Sequence, residues 1–403
     1  MKKTSFFASA ALIGASLLMA SCQPKQAAAP ANLTKSGLDP EKFVDNYNGK
    51  QTALYTLTNG EMEICITNFG GRIVSIMAPD RDDNLRDVVL GFDNVKDYEN
   101  VSGNTASDFG AAIGRYANRI AGGKFVLDGD TIVLPCNDNG VNCLHGGPTG
   151  WQYQVYDAEQ PDSTTLVLTM VSPDGDNNFP GEVTAHVTYT LTEENALIIA
   201  YDATTTKPTV VNMTNHSYFN LSGDPSKSVE DDMLFIYSNQ TTPVNANMIP
   251  TGEIRDIEPG TPFDFLTNGL KRIGDQINDD DEQLNFAGGY DHNWIIVPQE
   301  DEDLPIACVL YNKESGIALI EKTDLPGIQV YTGNFLEGKF AGKKGIVYNK
   351  RAGICLETQT YPDGPNKPEW PSAILRPGET YSTVSIFEFH TDNDGHDHQH
   401  MGE

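Results

Sequence analysis

The chain reads as an all-β protein, a large antiparallel β-sandwich with sheets packed face to face. Three observations predict that class. Apolar and polar residues alternate at period two through most of the chain. Turn-forming pairs (Asn59-Gly60, Asp128-Gly129, Asp174-Gly175, Pro377-Gly378) separate those runs. Helical periodicity is weak everywhere, so no crossover helices alternate with strands, and a doubly wound sheet or a β/α barrel is disfavoured.

The first segment stands outside the fold. Lys2 and Lys3 form a basic start, an apolar stretch runs from Phe6 to Ala20, and Ser21-Cys22 follow. Residues 1–21 are therefore expected to be a secretory signal; the stretch is short for a membrane span. Ala20 and Ser21 before Cys22 resemble a bacterial lipoprotein processing box, although Met19 stands where an aliphatic residue is expected. That resemblance implies that Cys22 is the lipidated N-terminus and anchors the chain to a membrane of the cell envelope. The alternative is ordinary cleavage with a free product. Residues 22–38, with Pro24, Ala27 to Ala29, Pro30 and Gly37, have no apolar period and read as a tether. No acidic run follows Cys22, which leans toward the periplasmic face.

Residues 39–390 are expected to form one sandwich domain. Asp39 and Pro40 favour a short opening helix over 39–47. Met62, Ile64 and Ile66 then alternate with Glu61, Glu63 and Cys65, and Leu166, Leu168 and Met170 continue the pattern. Val183, Ala185, Val187, Tyr189 and Leu191 alternate with Thr184, His186, Thr188 and Thr190, as in a half-buried antiparallel strand. Further strands are expected at 196–203, 306–311, 317–321, 328–332, 354–359 and 381–389. The last carries Tyr381, Thr383, Ser385, Phe387 and Phe389 on one side. A second short helix is expected at 266–277, and 278–282 reads as a solvated acidic turn with oxygen ligands but no specific calcium spacing. Residues 391–403, with His396, His398 and His400 among Asp and Gly, are expected to be a disordered tail.

Composition narrows the function. With 56 acidic against 27 basic residues and a formal charge of −29, the chain lacks the basic field that nucleic-acid binding requires. The charge fits an exported enzyme acting on neutral substrates. Setting Cys22 aside leaves Cys65, Cys136, Cys143, Cys308 and Cys355, an odd number that argues against a full disulfide framework. Cys65, Cys308 and Cys355 sit in strand-like runs as small hydrophobes. Cys136 and Cys143 flank a polar loop that one disulfide can close.

A few polar groups interrupt the packed pattern. Glu357 lies in Ile354-Cys355-Leu356-Glu357-Thr358-Gln359, where apolar neighbours would raise a carboxyl pKa toward a useful range. His216 lies in Asn215-His216-Ser217-Tyr218-Phe219-Asn220, and an imidazole holds and releases a proton near neutrality. His145 precedes Gly146-Gly147-Pro148, a loop whose backbone can come close to a ligand. Acid–base groups amid packed strands suggest a polyol or sugar site. The plain alternatives are a core glutamate satisfied by an arginine and histidines that only fill space.

Several segments decide between these readings. Gly114-Arg115-Tyr116-Ala117-Asn118-Arg119-Ile120, Leu144-His145-Gly146-Gly147, and Asn215 to Leu221 resemble those of the aldose 1-epimerases, the galactose mutarotases. So do Gly289-Tyr290-Asp291-His292-Asn293, Pro326 to Asn334 and Glu357-Thr358-Gln359, in order along the chain. The resemblance implies a sandwich of the galactose mutarotase type that interconverts α and β anomers of free aldohexoses such as glucose and galactose, with no metal and no organic cofactor. It makes Glu357 the general base and His216 the general acid. His145 would steer the reacting end, while Asn118, Arg119, Asp291 and Gln329 bind the sugar. Arg115 is an alternative, structural arginine. His292 is expected to be scaffold, because successive residues of a strand face opposite ways. Trp294, Trp370 and Tyr331 are candidates for an apolar face under the sugar. The partners so implied are free aldoses, with the chain a monomer apart from its lipid anchor.

Three rivals stay in view. A glycoside hydrolase would use two carboxylates, for which Glu357 and Asp291 are available. An epimerase of phosphorylated hexoses would need extra Lys or Arg, which the acidic composition does not suggest. A non-catalytic sugar-binding lipoprotein would have no need to keep both His216 and Glu357.

Overall fold

The computed structural model describes residues 32–100, 108–299 and 304–393. The signal segment, Cys22, most of the tether and the histidines at 396, 398 and 400 lie outside the described residues.

Two broad antiparallel sheets and a smaller one carry the fold. The nine-stranded sheet has the order Asp157–Glu159, Thr165–Ser172, Val183–Leu191, Ala196–Thr205, Tyr381–Thr391, Ile317–Thr323, Ile306–Tyr311, Met233–Ile236 and Lys271–Arg272. A six-stranded sheet runs Tyr218–Phe219, Ile354–Gln359, Gly327–Tyr331, Asp291–Ile295, Gln240–Thr241 and Arg255–Asp256, and Leu54–Thr58 to Leu85–Asp87 build a four-stranded sheet. One hydrophobic core joins all three. It takes Leu166, Val187 and Ile199 from the first sheet, Trp294, Ile328 and Leu356 from the second, and Ile64 and Ile76 from the third. This is the large antiparallel sandwich that the alternation predicts.

The two faces of the sandwich differ. Val183–Leu191 alternates strictly between buried and half-buried, so the outer face of the nine-stranded sheet meets water. Asp291–Ile295, Gly327–Tyr331 and Ile354–Gln359 are buried almost throughout, because a second layer covers their outer face. That layer is a separate cluster in which Phe92, Phe109, Tyr348 and Leu336 pack on Tyr218, Tyr331 and Cys355. The same layer buries Cys65 and Glu63, which simple alternation would leave outside.

Several expected boundaries move. Residues 34–38 form a turn packed on the domain: Leu38 N–H donates to Thr34 Oγ1 at 2.9 Å, and Leu38 joins the second cluster. The opening helix shortens to a 3-10 turn, Pro40–Phe43, capped by Asp39 Oδ1. Of the helix expected at 266–277 only a 3-10 turn, Ile273–Asp275, forms. Asp264 caps a turn at Leu266 and Thr267, Gly269 adopts φ +68°, and Lys271–Arg272 pairs with Met233 and Leu234. The helix lies further on, at Glu282–Ala287, where Asp281 from the expected acidic turn accepts from Gln283 and Leu284 N–H. Thr391, assigned to the tail, pairs with Ile317 in the last strand. Cys136 and Cys143 are both free thiols, so no disulfide closes their loop.

Candidate active site

The site lies on the covered outer face of the six-stranded sheet. Register places Glu357, Gln329 and Asn293 side by side in one row across three strands, and Cys355, Tyr331 and Asp291 in the next row. Odd-numbered residues of these strands face the site, and even-numbered ones face the core. His292 and Trp294 are therefore core residues. The His292 ring lies 4.9 Å from that of Phe263, and Trp294 Nε1 donates to Phe263 O at 3.1 Å. The scaffold reading of His292 is the one the strand imposes, and Trp294 is removed as a sugar platform. Trp370 packs edge-on against Tyr361, whereas Tyr331 shares the row of Asp291 and stacks on Phe335.

His216 ends the strand Thr214–His216, which pairs with Ala111–Ile113. Its ring stacks on Tyr218 at 5.1 Å and meets His145 edge-on at 5.2 Å. Its Nε2 stands 3.5 Å from Glu357 Oε1. Both residues are nearly sealed, at 4% and 2% exposure. Burial opposes the charged form of each. It pulls the imidazole down to about 4, with Arg72 adding to the effect. It pushes the Glu357 carboxyl well above its usual range, with Asp291 and Asp108 adding and Arg119 opposing. Glu357 Oε2, His216 Nδ1 and Gln329 Oε1 have no hydrogen-bond partner among the described residues. A cluster of buried, unsatisfied polar atoms on one face is costly unless a polar ligand completes it.

The binding side is held by a chain of polar contacts. Gln329 Nε2 donates to Asp291 Oδ1 at 2.7 Å. Arg119 Nη1 lies 3.8 Å from Asp291 Oδ2, and its Nε donates to Asp138 Oδ2 at 3.0 Å. Burial raises the Asp291 pKa, and Arg119 and Gln329 counter it. Arg115 is structural: its guanidinium donates to Pro180 O, Gly181 O and Ser172 Oγ. Asn118 shapes its own turn and fixes the ring of His145. It adopts φ +65°, its Oδ1 accepts from Arg119 N–H, and its N–H donates to His145 Nδ1 at 3.1 Å.

That last bond decides the chemistry of His145. The Asn118 amide occupies the Nδ1 lone pair, so the neutral ring carries its proton on Nε2. Burial holds the ring neutral by pulling its pKa well below the ordinary value. Packing alone requires the first glycine of the Gly-Gly turn behind it. Gly146 has φ +79°, and a Cβ there would stand 2.2 Å from Gly114 O. Asp108, His145 and His216 each bring one potential ligand atom within 4.8 Å of the others. With Nδ1 engaged and Nε2 protonated, neutral His145 offers a metal ion no lone pair, so the trio fits a hydrogen-bonding array better than a metal centre.

Arg119, His145 and Asp108 also line a cavity of about 630 Å³ with Asp138, Phe286, Phe335 and Met248 on its walls, within the ~300–1,000 Å³ usual for small-molecule sites. Through Arg119 and His145 the cavity wall connects to Asp291 and His216 behind it. The sequence reading missed Asp108, Asp138 and Phe335. All three lie in connecting segments, and no periodicity marks which loop residues fold toward a cavity.

Comparison with known proteins agrees with this geometry. The family model described as aldose 1-epimerase matches residues 53–388. The galactose mutarotase of Mus musculus is 38% identical over 335 residues, covering 83% of this chain and 93% of the relative. The aldose 1-epimerase of Escherichia coli (strain K12) is 36% identical over 345 residues, covering 85% and 96%. Among solved structures, an aldose epimerase homologue from C. elegans superposes with a TM-score of 0.76 at 28% identity, covering 84% of this chain and 99% of its own. A galactose 1-epimerase from Lactobacillus acidophilus gives 0.73 at 29%, covering 86% and 97%. The chain belongs to the aldose 1-epimerase family.

Proposed function

We propose that this site opens and recloses the pyranose ring of free aldohexoses, with His216 as general acid and Glu357 as general base. Family membership makes the chain an isomerase of the mutarotase type that interconverts α and β anomers. The assignment of roles is supported above all by one observation: His216 Nε2 and Glu357 Oε1 stand 3.5 Å apart on a sealed face with further unsatisfied polar atoms around them.

In the forward step Glu357 takes the proton of the C1 hydroxyl while His216 delivers a proton to the ring oxygen. The bond between C1 and the ring oxygen breaks and leaves the aldehyde. The aldehyde turns, the C5 hydroxyl attacks its other face, and both protons return. After opening, Glu357 is protonated and His216 is neutral. Burial favours that same distribution in the ligand-free site, so a closed sugar reacts only when the proton sits on His216. His145 Nε2–H donates to the C1 oxygen as it gains charge, and Arg119, Asp291 and Gln329 hold the remaining hydroxyls in place.

Polarimetry on freshly dissolved α-D-glucose and α-D-galactose tests the roles. Glu357→Gln and His216→Asn are each expected to lose ~10²–10⁴ of the rate. Full activity in both variants would overturn the assignment. No activity of the parent on any aldose would favour a non-catalytic binding module, and release of reducing sugar from disaccharides would favour a hydrolase.

Placement in the cell is a separate part of the proposal. Lys2, Lys3, the apolar stretch and Ala20-Ser21-Cys22 support lipidation at Cys22 and attachment to the cell envelope facing the periplasm, with the domain acting as a monomer. Cys22→Ala is expected to abolish incorporation of labelled fatty acid and to move the protein out of the membrane fraction. Unchanged labelling would end this reading.

A further inference from the structure

Resting on the reading that the cavity of this site holds the aldose, we propose that the Gln152 side-chain amide bonds one of the sugar's hydroxyls beside His145, which makes Gln152 a specificity-determining residue. Gln152 lines the cavity together with His145 and Arg119. The residue is 2% exposed, and its Oε1 has no hydrogen-bond partner among the described residues. A side chain that merely filled this space would do so at lower cost if it were apolar. A carboxamide offers two donors and an acceptor, the groups that complement a sugar hydroxyl.

The turn that carries this amide is held from several sides. Trp151–Tyr153 is a single 3-10 turn. Trp151 N–H donates to Gly114 O at 3.0 Å, and Tyr153 N–H donates to Gly150 O at 3.0 Å. The Gln152 carbonyl accepts from Arg72 Nη2 at 2.6 Å. The backbone of Gln152 thus serves the fold, and a rigid turn presents its side chain. Rigid placement lowers the ordering cost when a ligand binds.

Gly150 sets where the amide lies. A Cβ on Gly150 would stand 2.4 Å from Gln152 Oε1 and 2.4 Å from His145 O. The bare glycine therefore lets the amide share a niche with the backbone of His145. The oxygen and nitrogen ends of an amide are alike in size, so whichever end occupies the niche, the other is left for a hydroxyl. Neighbouring groups on this wall already have protein partners: the Asn118 amide engages His145 Nδ1, and Asp138 engages Arg119 Nε. Gln152 adds a contact beside His145 that none of these supplies.

The test is a cycle between side chain and substrate. Polarimetry gives kcat/KM of the parent and of Gln152→Met on galactose and on galactose lacking the hydroxyl at C2, C3, C4 or C6. Each deoxy sugar is compared with galactose in the same enzyme, so a smaller folded fraction cancels. Gln152→Met is expected to lose about tenfold on galactose. For one deoxy sugar the parent is expected to lose about tenfold as well, while Gln152→Met loses nothing further. Equal ratios in the two enzymes at all four positions overturn the proposal, since a purely structural role lowers every sugar alike. Failure of the acid–base roles shows elsewhere, as full activity in Glu357→Gln and His216→Asn, and leaves these ratios untouched. If Gln152→Met does not fold, a crystal structure of the parent with galactose decides. The Gln152 amide is expected within hydrogen-bond distance of a sugar hydroxyl, and an amide out of reach of every hydroxyl overturns the proposal.

Discussion

Arg119 shows how finely single contacts set the site. Its Nε is anchored by Asp138 at 3.0 Å, while its approach to Asp291 is longer, at 3.8 Å. Asp138→Ala leaves the guanidinium free to swing, so KM for galactose is expected to rise up to about tenfold with a smaller change in kcat. Steady-state kinetics would check this, and an unchanged KM would mean that the anchor is idle. Gly146→Ala puts a Cβ against Gly114 O at φ +79°; destabilisation by about 2 kcal/mol or more is expected in chemical denaturation. At this scale much of the site was legible. His216, Glu357, His145, Arg119, Asp291 and Gln329 stand in motifs, and the structure brings them together on or beside one sheet face. The proton position on His145 was not legible, because it depends on an amide 27 residues away in sequence. Asp108 and Asp138 were missed for the same kind of reason: their partners are distant in the chain.

Strands were easier to read than helices. Alternation at 183–191 survives intact because only one side of that strand is packed. At 291–295, 327–331 and 354–359 odd-numbered residues such as Asp291, Gln329, Tyr331 and Glu357 are polar or aromatic yet buried, since a second layer covers that face. A single strand carries no sign of what will lie on top of it. The opening helix was read too long and the second one misplaced, because local caps decided both. Asp264 begins a turn that Gly269 ends, while Asp281 and the left-handed Gly288 frame Glu282–Ala287. Asp281→Ala is expected to cost about 1 kcal/mol in urea unfolding. A loss near zero would show that packing of Leu284 and Ala287 holds the helix without its cap.

Across the whole molecule, buried acids set the pH response. Burial lifts Asp232 to about 7 and raises Glu321 and Glu357 well above their ordinary range. Each folded carboxyl binds its proton more tightly than the unfolded chain does. Its favourable contribution is complete below the unfolded carboxylate pKa and is lost as pH rises through the folded value. This part of the stability is therefore expected to fall between about pH 4 and 7, while the buried His145, His216 and His292, whose pKa values burial lowers, make their part rise over much of the same interval. Asp232 Oδ1 accepts from Asn312 Nδ2 at 2.6 Å, a bond an amide oxygen can also accept, so Asp232→Asn is expected to flatten that slope by calorimetry. An equal slope in the variant would place the proton uptake elsewhere.

The covering layer over the six-stranded sheet has an implication for how such an enzyme can change. The proton-transfer pair rides on paired strands, whereas much of the cavity wall, with Asn139, Met248 and Phe335, comes from the segments between strands. Turnover and selectivity are thus written in different parts of the chain. Exchange of those connecting segments can retune which aldose is admitted while the sheet beneath keeps its chemistry.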